Sequence, residues 1–105
     1  MGATVAVLYP PDADIKMDYY LNTHMPMVQE KWGPGGLQGY TVAQFVSLGD
    51  GSPAPYSLCT NLNFESIEAF QAVAAGPHIA EIMGDIKNFT EKVPILIIGN
   101  VVGTH

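Results

Sequence analysis

Hydrophobic positions along the chain switch between two periods. Runs rich in valine, isoleucine, threonine and aromatics cover Thr4 to Tyr9, Gly39 to Val46, Tyr56 to Phe64 and Ile95 to Val102. Such composition suits a pleated sheet, so each run predicts a strand. Between the first two, Met17, Tyr20, Leu21, His24 and Val28 recur three or four residues apart and form one helical face. Asp12 or Asp14 is the expected N-cap, and Pro26 is expected to kink or interrupt the helix just before it. Trp32 and Gly33-Pro34-Gly35-Gly36 mark its exit. A second helical region starts after Ser66, through Ile67, Phe70 and Ala74, breaks at Gly76-Pro77 and resumes through Ile79, Ile82, Met83, Ile86 and Phe89.

The order is therefore β, α, β, β, α, β. It folds most simply into a ferredoxin-like α+β domain, a four-stranded antiparallel sheet with both helices on one face. Strands one and four are apolar on both parities, so the face without helices would be a large apolar patch. A second copy covering it is the expected remedy, which predicts a homodimer. In strand three, Cys59, Asn61 and Asn63 share a parity opposite Leu58, Leu62 and Phe64, so the covered face has a polar portion.

Length and composition narrow the function classes. The 105 residues suit a single domain, and 48% hydrophobic with 13% charged residues argues against disorder. The net charge is −6, arginine is absent, and Lys16, Lys31, Lys87 and Lys92 are spread along the sequence. Nucleic-acid and anionic-membrane partners, which need a basic patch, are disfavoured, and a small apolar organic molecule is the expected ligand. No signal peptide is expected, and the single cysteine, Cys59, fits a cytoplasmic protein in which it is a small buried hydrophobe.

Candidate chemistry gathers on the first helix. Tyr20 and His24 stand four apart on one face, so their polar tips are expected to meet near the sheet. His24 can exchange a proton near neutral pH, and the Tyr20 hydroxyl can hold a substrate oxygen, so these are the candidate catalytic residues. Tyr19, Trp32, Tyr40, Asn61, His78 and Phe89 are the candidate substrate-binding residues. Asp85 reads as a solvated helix charge, and no carboxylate partner for a histidine is evident. The three histidines lack metal-ligand spacing, and no cofactor motif is present, so neither a metal nor a cofactor is expected.

The segment Asp18-Tyr19-Tyr20-Leu21-Asn22-Thr23-His24-Met25-Pro26-Met27 resembles the signature of the EthD family, a Tyr-Tyr pair followed by His-x-Pro. Gly76-Pro77-His78 and Asp85-Ile86-x-Asn88-Phe89 are similar to it as well, while Ile15 stands where many relatives have Phe. The resemblance implies a dimeric α+β barrel, two sheets packed face to face with the helices outside. The family takes its name from a protein of bacterial ether degradation that works beside a cytochrome P450 system. Related folds include cofactor-independent monooxygenases, isomerases, polyketide cyclases and haem-binding enzymes. The resemblance thus implies either an enzyme acting on a small, mostly apolar oxygenated molecule or a non-catalytic binding protein serving an oxygenase pathway.

Overall fold

Strand formation follows the β-branched runs closely. In the computed structural model, which describes residues 2–105, β1 is Ala3–Tyr9, β2 Leu37–Gln44, β3 Leu58–Phe64 and β4 Ile95–Asn100. They form one antiparallel sheet in the order β2-β3-β1-β4. This is the split arrangement expected of a ferredoxin-like fold, with β3 and β1 at its centre.

The helical side begins later than the aspartates suggested. Asp14 adopts a left-handed φ of 49°, and Lys16, not Asp12 or Asp14, precedes the first turn without a side-chain cap. The Lys16 N–H is instead bound by the Phe89 carbonyl at 2.9 Å, so a long-range contact sets the helix start. The helix then runs as α1 (Met17–Tyr19), a π-helical turn (Tyr20–His24) and α2 (Met25–Trp32). Pro26 explains the middle piece. It has no N–H for the Asn22 carbonyl and its ring would crowd that group, so the ladder widens and the Met25 N–H reaches back to Tyr20.

Gly33–Gly35 forms a 3₁₀ turn, and Gly36 follows with a left-handed φ of 118°. A Cβ at Gly36 would lie 2.9 Å from the Ala69 Cβ, so the glycine lets α3 (Ile67–Ala74) pack closely on this turn. Ser66 caps α3, accepting from the Ala69 N–H at 3.0 Å. After the Gly76-Pro77 break come α4 (Ile79–Gly84) and a 3₁₀ turn, Ile86–Asn88, which delivers Phe89 to the core.

The core lies between helices and sheet, built from Val5, Tyr9, Tyr20, Val28, Trp32, Leu58, Leu62, Phe64, Phe70 and Phe89. Cys59 is buried in β3, as expected, and burial pushes its thiol pKa up. Strand ends differ from the sequence reading. Phe45 and Val46 leave β2 as exposed loop residues, Tyr56 precedes β3, and β4 stops before Val101. The edge strand β4 is thinly covered on either side. Leu96 and Ile98 share the face of Val5 and Val7 but are 38% and 42% exposed, and Ile97 on the other face is 55% exposed. Lys16 joins Lys87 and Lys92, distant from it in sequence, around one surface cleft, but Asp12, Asp14 and Glu91 stand among them. Among the described residues no helix is long and apolar enough to cross a membrane.

Two glycines separate strain from entropy. Gly36→Ala should cost about 2 kcal/mol in urea unfolding, from the left-handed φ and the approach of Ala69. Gly84→Ala, at an open position in the last turn of α4, should gain about 0.5 kcal/mol by restricting the unfolded chain. Equal effects at the two sites would contradict this assignment.

Candidate functional site

The π turn places Tyr20 and His24 over the sheet with their rings stacked, centroids 5.5 Å apart at 16°. Phe89, fully buried, packs on both rings, at 4.8 Å from Tyr20 and 4.6 Å from His24. Stacking sends the two polar tips to different partners, contrary to the meeting expected from their spacing. The Tyr20 hydroxyl pairs with the buried Thr60 hydroxyl of β3 at 2.5 Å. His24 Nδ1–H donates to Asp85 Oδ2 at 2.9 Å.

Asp85 is therefore not a solvated helix charge. It caps the end of α4 and carries three polar neighbours. Besides His24, its Oδ1 accepts from the Tyr19 hydroxyl at 2.6 Å and from Asn88 Nδ2 at 2.8 Å. Partial burial works against its ionisation, but the bonds from Tyr19, His24 and Asn88 outweigh that and hold its carboxyl below 3.8. Tyr19 shifts upward because its hydroxyl already serves that carboxylate. Histidine behaves oppositely. Burial disfavours the imidazolium more than Asp85 favours it, so the His24 pKa falls below its ordinary 6.5.

At neutral pH His24 is thus an uncharged imidazole with its proton fixed on Nδ1 by a carboxylate. Its Nε2 carries a lone pair and makes no hydrogen bond among the described residues. Burial pushes the Tyr20 hydroxyl up to about 12, so it remains protonated and serves as a donor or a spacer rather than a base.

An apolar groove runs beside these groups, lined by Tyr20, His24, Val28, Trp32, Thr60 and Leu62 among others. It opens between α4 and β4, where Met83 and Leu96 are both exposed. Its interior measures about 50 Å3, and about 440 Å3 when the mouth onto solvent is counted. The smaller figure describes the room inside, enough for a few waters or one small ring substituent. No lysine lines it, so a bound anion would meet no opposing charge there.

Of the residues singled out in the sequence, His24, Tyr20 and Trp32 come together along this groove. Phe89 is not a wall but lies behind the His24 ring, completing the core. Tyr40 packs against the core on β2 without lining the groove, and Tyr19 stands on the outer side of Asp85. His78 precedes α4 without lining the groove, and Asn61 faces the opposite side of the sheet with Ala6 and Thr41. Ile15 also lies outside the groove. Asp85 and Thr60 were missed. Each is an ordinary polar residue in its own segment, and only the fold brings it to an aromatic 40 or more positions away. No group of three His, Cys, Asp or Glu side chains able to hold a metal ion occurs among the described residues.

These features define the class, a ferredoxin-like α+β domain with a histidine–carboxylate pair beside an apolar groove. The EthD domain family model matches residues 12–92, and the chain belongs to the EthD family. An EthD-like protein from Ralstonia eutropha JMP134 is 34% identical with a TM-score of 0.86, over 99% of this chain and 95% of that one. An EthD family protein from Bacillus halodurans C-125 is 22% identical, TM-score 0.73, over 97% and 99%. SnoaB from Streptomyces nogalater, a cofactor-independent oxygenase, shares the fold at 10% identity and TM-score 0.65, over 98% and 94%. A search of curated proteins finds no match.

The electrostatics of this centre give a signed prediction. The unfolded chain binds a proton at His24 more readily than the folded one, so stability is full above pH 6.5 and falls as the pH drops below it. The depressed Asp85 carboxyl extends the loss further into acid, below its unfolded 3.8. Melting temperature should decline below pH 6.5. Asp85→Asn should lower the His24 pKa further, read by NMR titration, because it removes the one group favouring the imidazolium. A rise on that substitution would contradict the assigned balance.

Proposed function

We propose that the groove binds a small, neutral, mostly apolar oxygenated molecule and that His24, backed by Asp85, is its general base. The observation that carries this reading is the bare Nε2 of a neutral histidine on an otherwise apolar groove. A ligand O–H, or a C–H beside a carbonyl, gives its proton to Nε2 and leaves an enolate or phenolate. The new imidazolium is stabilised through Nδ1–H by the Asp85 carboxylate at 2.9 Å. Returned to a different carbon, that proton completes an isomerisation. With dioxygen as co-reactant, the enolate is the electron-rich species that cofactor-free oxygenation requires. The fold shared with SnoaB is consistent with the second outcome. Tyr20, tied to Thr60, sets the position of the His24 ring and offers a hydroxyl to the ligand oxygen.

Proton exchange tests this directly. Neutral enolisable ketones and lactones in deuterated buffer should exchange the C–H beside the carbonyl with wild-type protein. His24→Gln should slow the exchange by about 100-fold or more. Equal rates in the two proteins would remove His24 from the chemistry. Saturable binding with no exchange by wild type would instead indicate a carrier.

The same reading includes a homodimer with the two open sheet faces opposed. Ile95 and Ile97, half exposed beside the partly covered Leu8, support it, since such a patch is costly in water. Sedimentation at micromolar concentration should give twice the chain mass. A monomer would contradict the proposed packing.

A further inference from the structure

The groove is smaller inside than the molecules its chemistry calls for. Its interior of about 50 Å3 takes one small substituent, and Val28 in its lining is only 3% exposed. Pockets that enclose a ring-sized ligand measure several hundred Å3, so a ketone or lactone of that size enters only if a wall moves. Most of the lining is fixed. β1 and β3 are the central strands of the sheet, and α2 is anchored by the buried Met25, Val28 and Trp32. The exception is α4, which contributes Ile82 and Met83.

α4 is weakly held. Ile82 is its one buried residue, and Met83 is 45% exposed. Among the described residues, the backbone hydrogen bonds of 77–84 stay within the segment and its flanks, as in Ile82 N–H to the His78 carbonyl. One polar side-chain tie is added, from Glu81 to Lys31 of α2 at 3.4 Å, and the Glu81 side chain is 54% exposed. Few buried side chains and no backbone bonds to neighbouring elements mark a segment that opens locally. Gly76-Pro77 interrupts the chain at one end. At the other stands Gly84, where an added Cβ would meet nothing within 4 Å. Directly beyond it, Tyr19, His24 and Asn88 hold Asp85 in place.

We propose that α4 is the lid of the groove, swinging outward about Gly76 and Gly84 to admit the ligand while Asp85 stays on His24. This rests on the reading of the groove as a ligand site. Ile82 is the buried side chain that opposes the movement, and exposing one isoleucine leaves the open form at about 1%. Glu81 and Lys31 form the outer latch. Because the hinge lies before Asp85, opening enlarges the groove without releasing the carboxylate that orients Nδ1–H. Closing brings Ile82 and Met83 against the bound molecule and shuts water out of the proton transfer.

The competing account is a fixed groove whose ligand rests in the mouth between α4 and β4. Under that account Val28 meets nothing of ring size until the whole domain unfolds, at most about one molecule in 10⁴.

Two measurements separate the accounts. Amide hydrogen exchange needs no substitution. A helix of six residues does not keep its hydrogen bonds away from the core, so the Ile82 N–H should exchange about 100-fold faster than the amides of β3. The second measurement places a thiol in the lining with Val28→Cys, combined with Cys59→Ala to remove the native one. The neutral aromatic disulfide 4,4′-dithiodipyridine should modify it about 100-fold more slowly than in the urea-unfolded chain, against about 10⁴-fold for a fixed groove. Glu81→Lys sets two lysines against each other across the latch and should speed the labelling about threefold, with β3 exchange unchanged. Exchange of the Ile82 N–H at the β3 rate would overturn the lid. Fast labelling that Glu81→Lys leaves unchanged would also overturn it, since the reagent would then enter without α4. Neither readout involves a proton at His24, so failure of the lid and failure of the general base are seen separately.

Discussion

The packing of Phe89 is the constraint on which the site depends. Its ring is fully buried and meets Tyr9, Tyr19, Tyr20 and His24 within 6.4 Å between centres, tying β1 and the first helix to the end of the second helical region. Its carbonyl also takes the Lys16 N–H and so fixes where the first helix begins. Aromatic pairs of this kind contribute about 1 kcal/mol each beyond burial, and here they are arranged around one residue. The 3₁₀ turn that carries Phe89 inward also holds Asn88 against Asp85. Core packing and the placing of the carboxylate are thus one structural event.

Electrostatics then divide the two groups of the pair. Asp85 lies near the surface, where three donors keep it ionised despite partial desolvation. His24 is deeper, where burial prevails and keeps it neutral. A carboxylate on the outer side and an apolar groove on the inner side leave one ring nitrogen for chemistry. The groove has no fixed positive charge, so charge develops in it only when a proton moves. Under the function proposed above, this favours neutral ligands and makes the transferred proton the main event.

Much of this was legible in the sequence, for identifiable reasons. Periodicity located all four strands, and Pro26 marked the change in the helix ladder, because both depend on local sterics. His24 stood out as a polar residue on an apolar stripe. The N-cap at Asp12 or Asp14 failed because a backbone bond to Phe89, distant in sequence, overrides local capping preference. The pairing of Tyr20 with His24 failed because stacked rings direct their polar atoms apart. Asp85 was hidden for the same reason as Thr60, since neither lies near its partner until the sheet and helices assemble. Tyr40 and Phe89 were expected among the substrate-binding residues but pack in or against the core, away from the groove.

Membership of the EthD family fixes the fold and leaves the chemistry to the site. The central claim about that site concerns a single proton on a single ring. The most direct measurement is the ¹⁵N shift pair of His24 at neutral pH. A protonated Nδ1 and a bare, pyridine-type Nε2 are expected, unchanged until the pH falls below 6.5. A proton on Nε2, or an imidazolium at pH 7, would contradict the account.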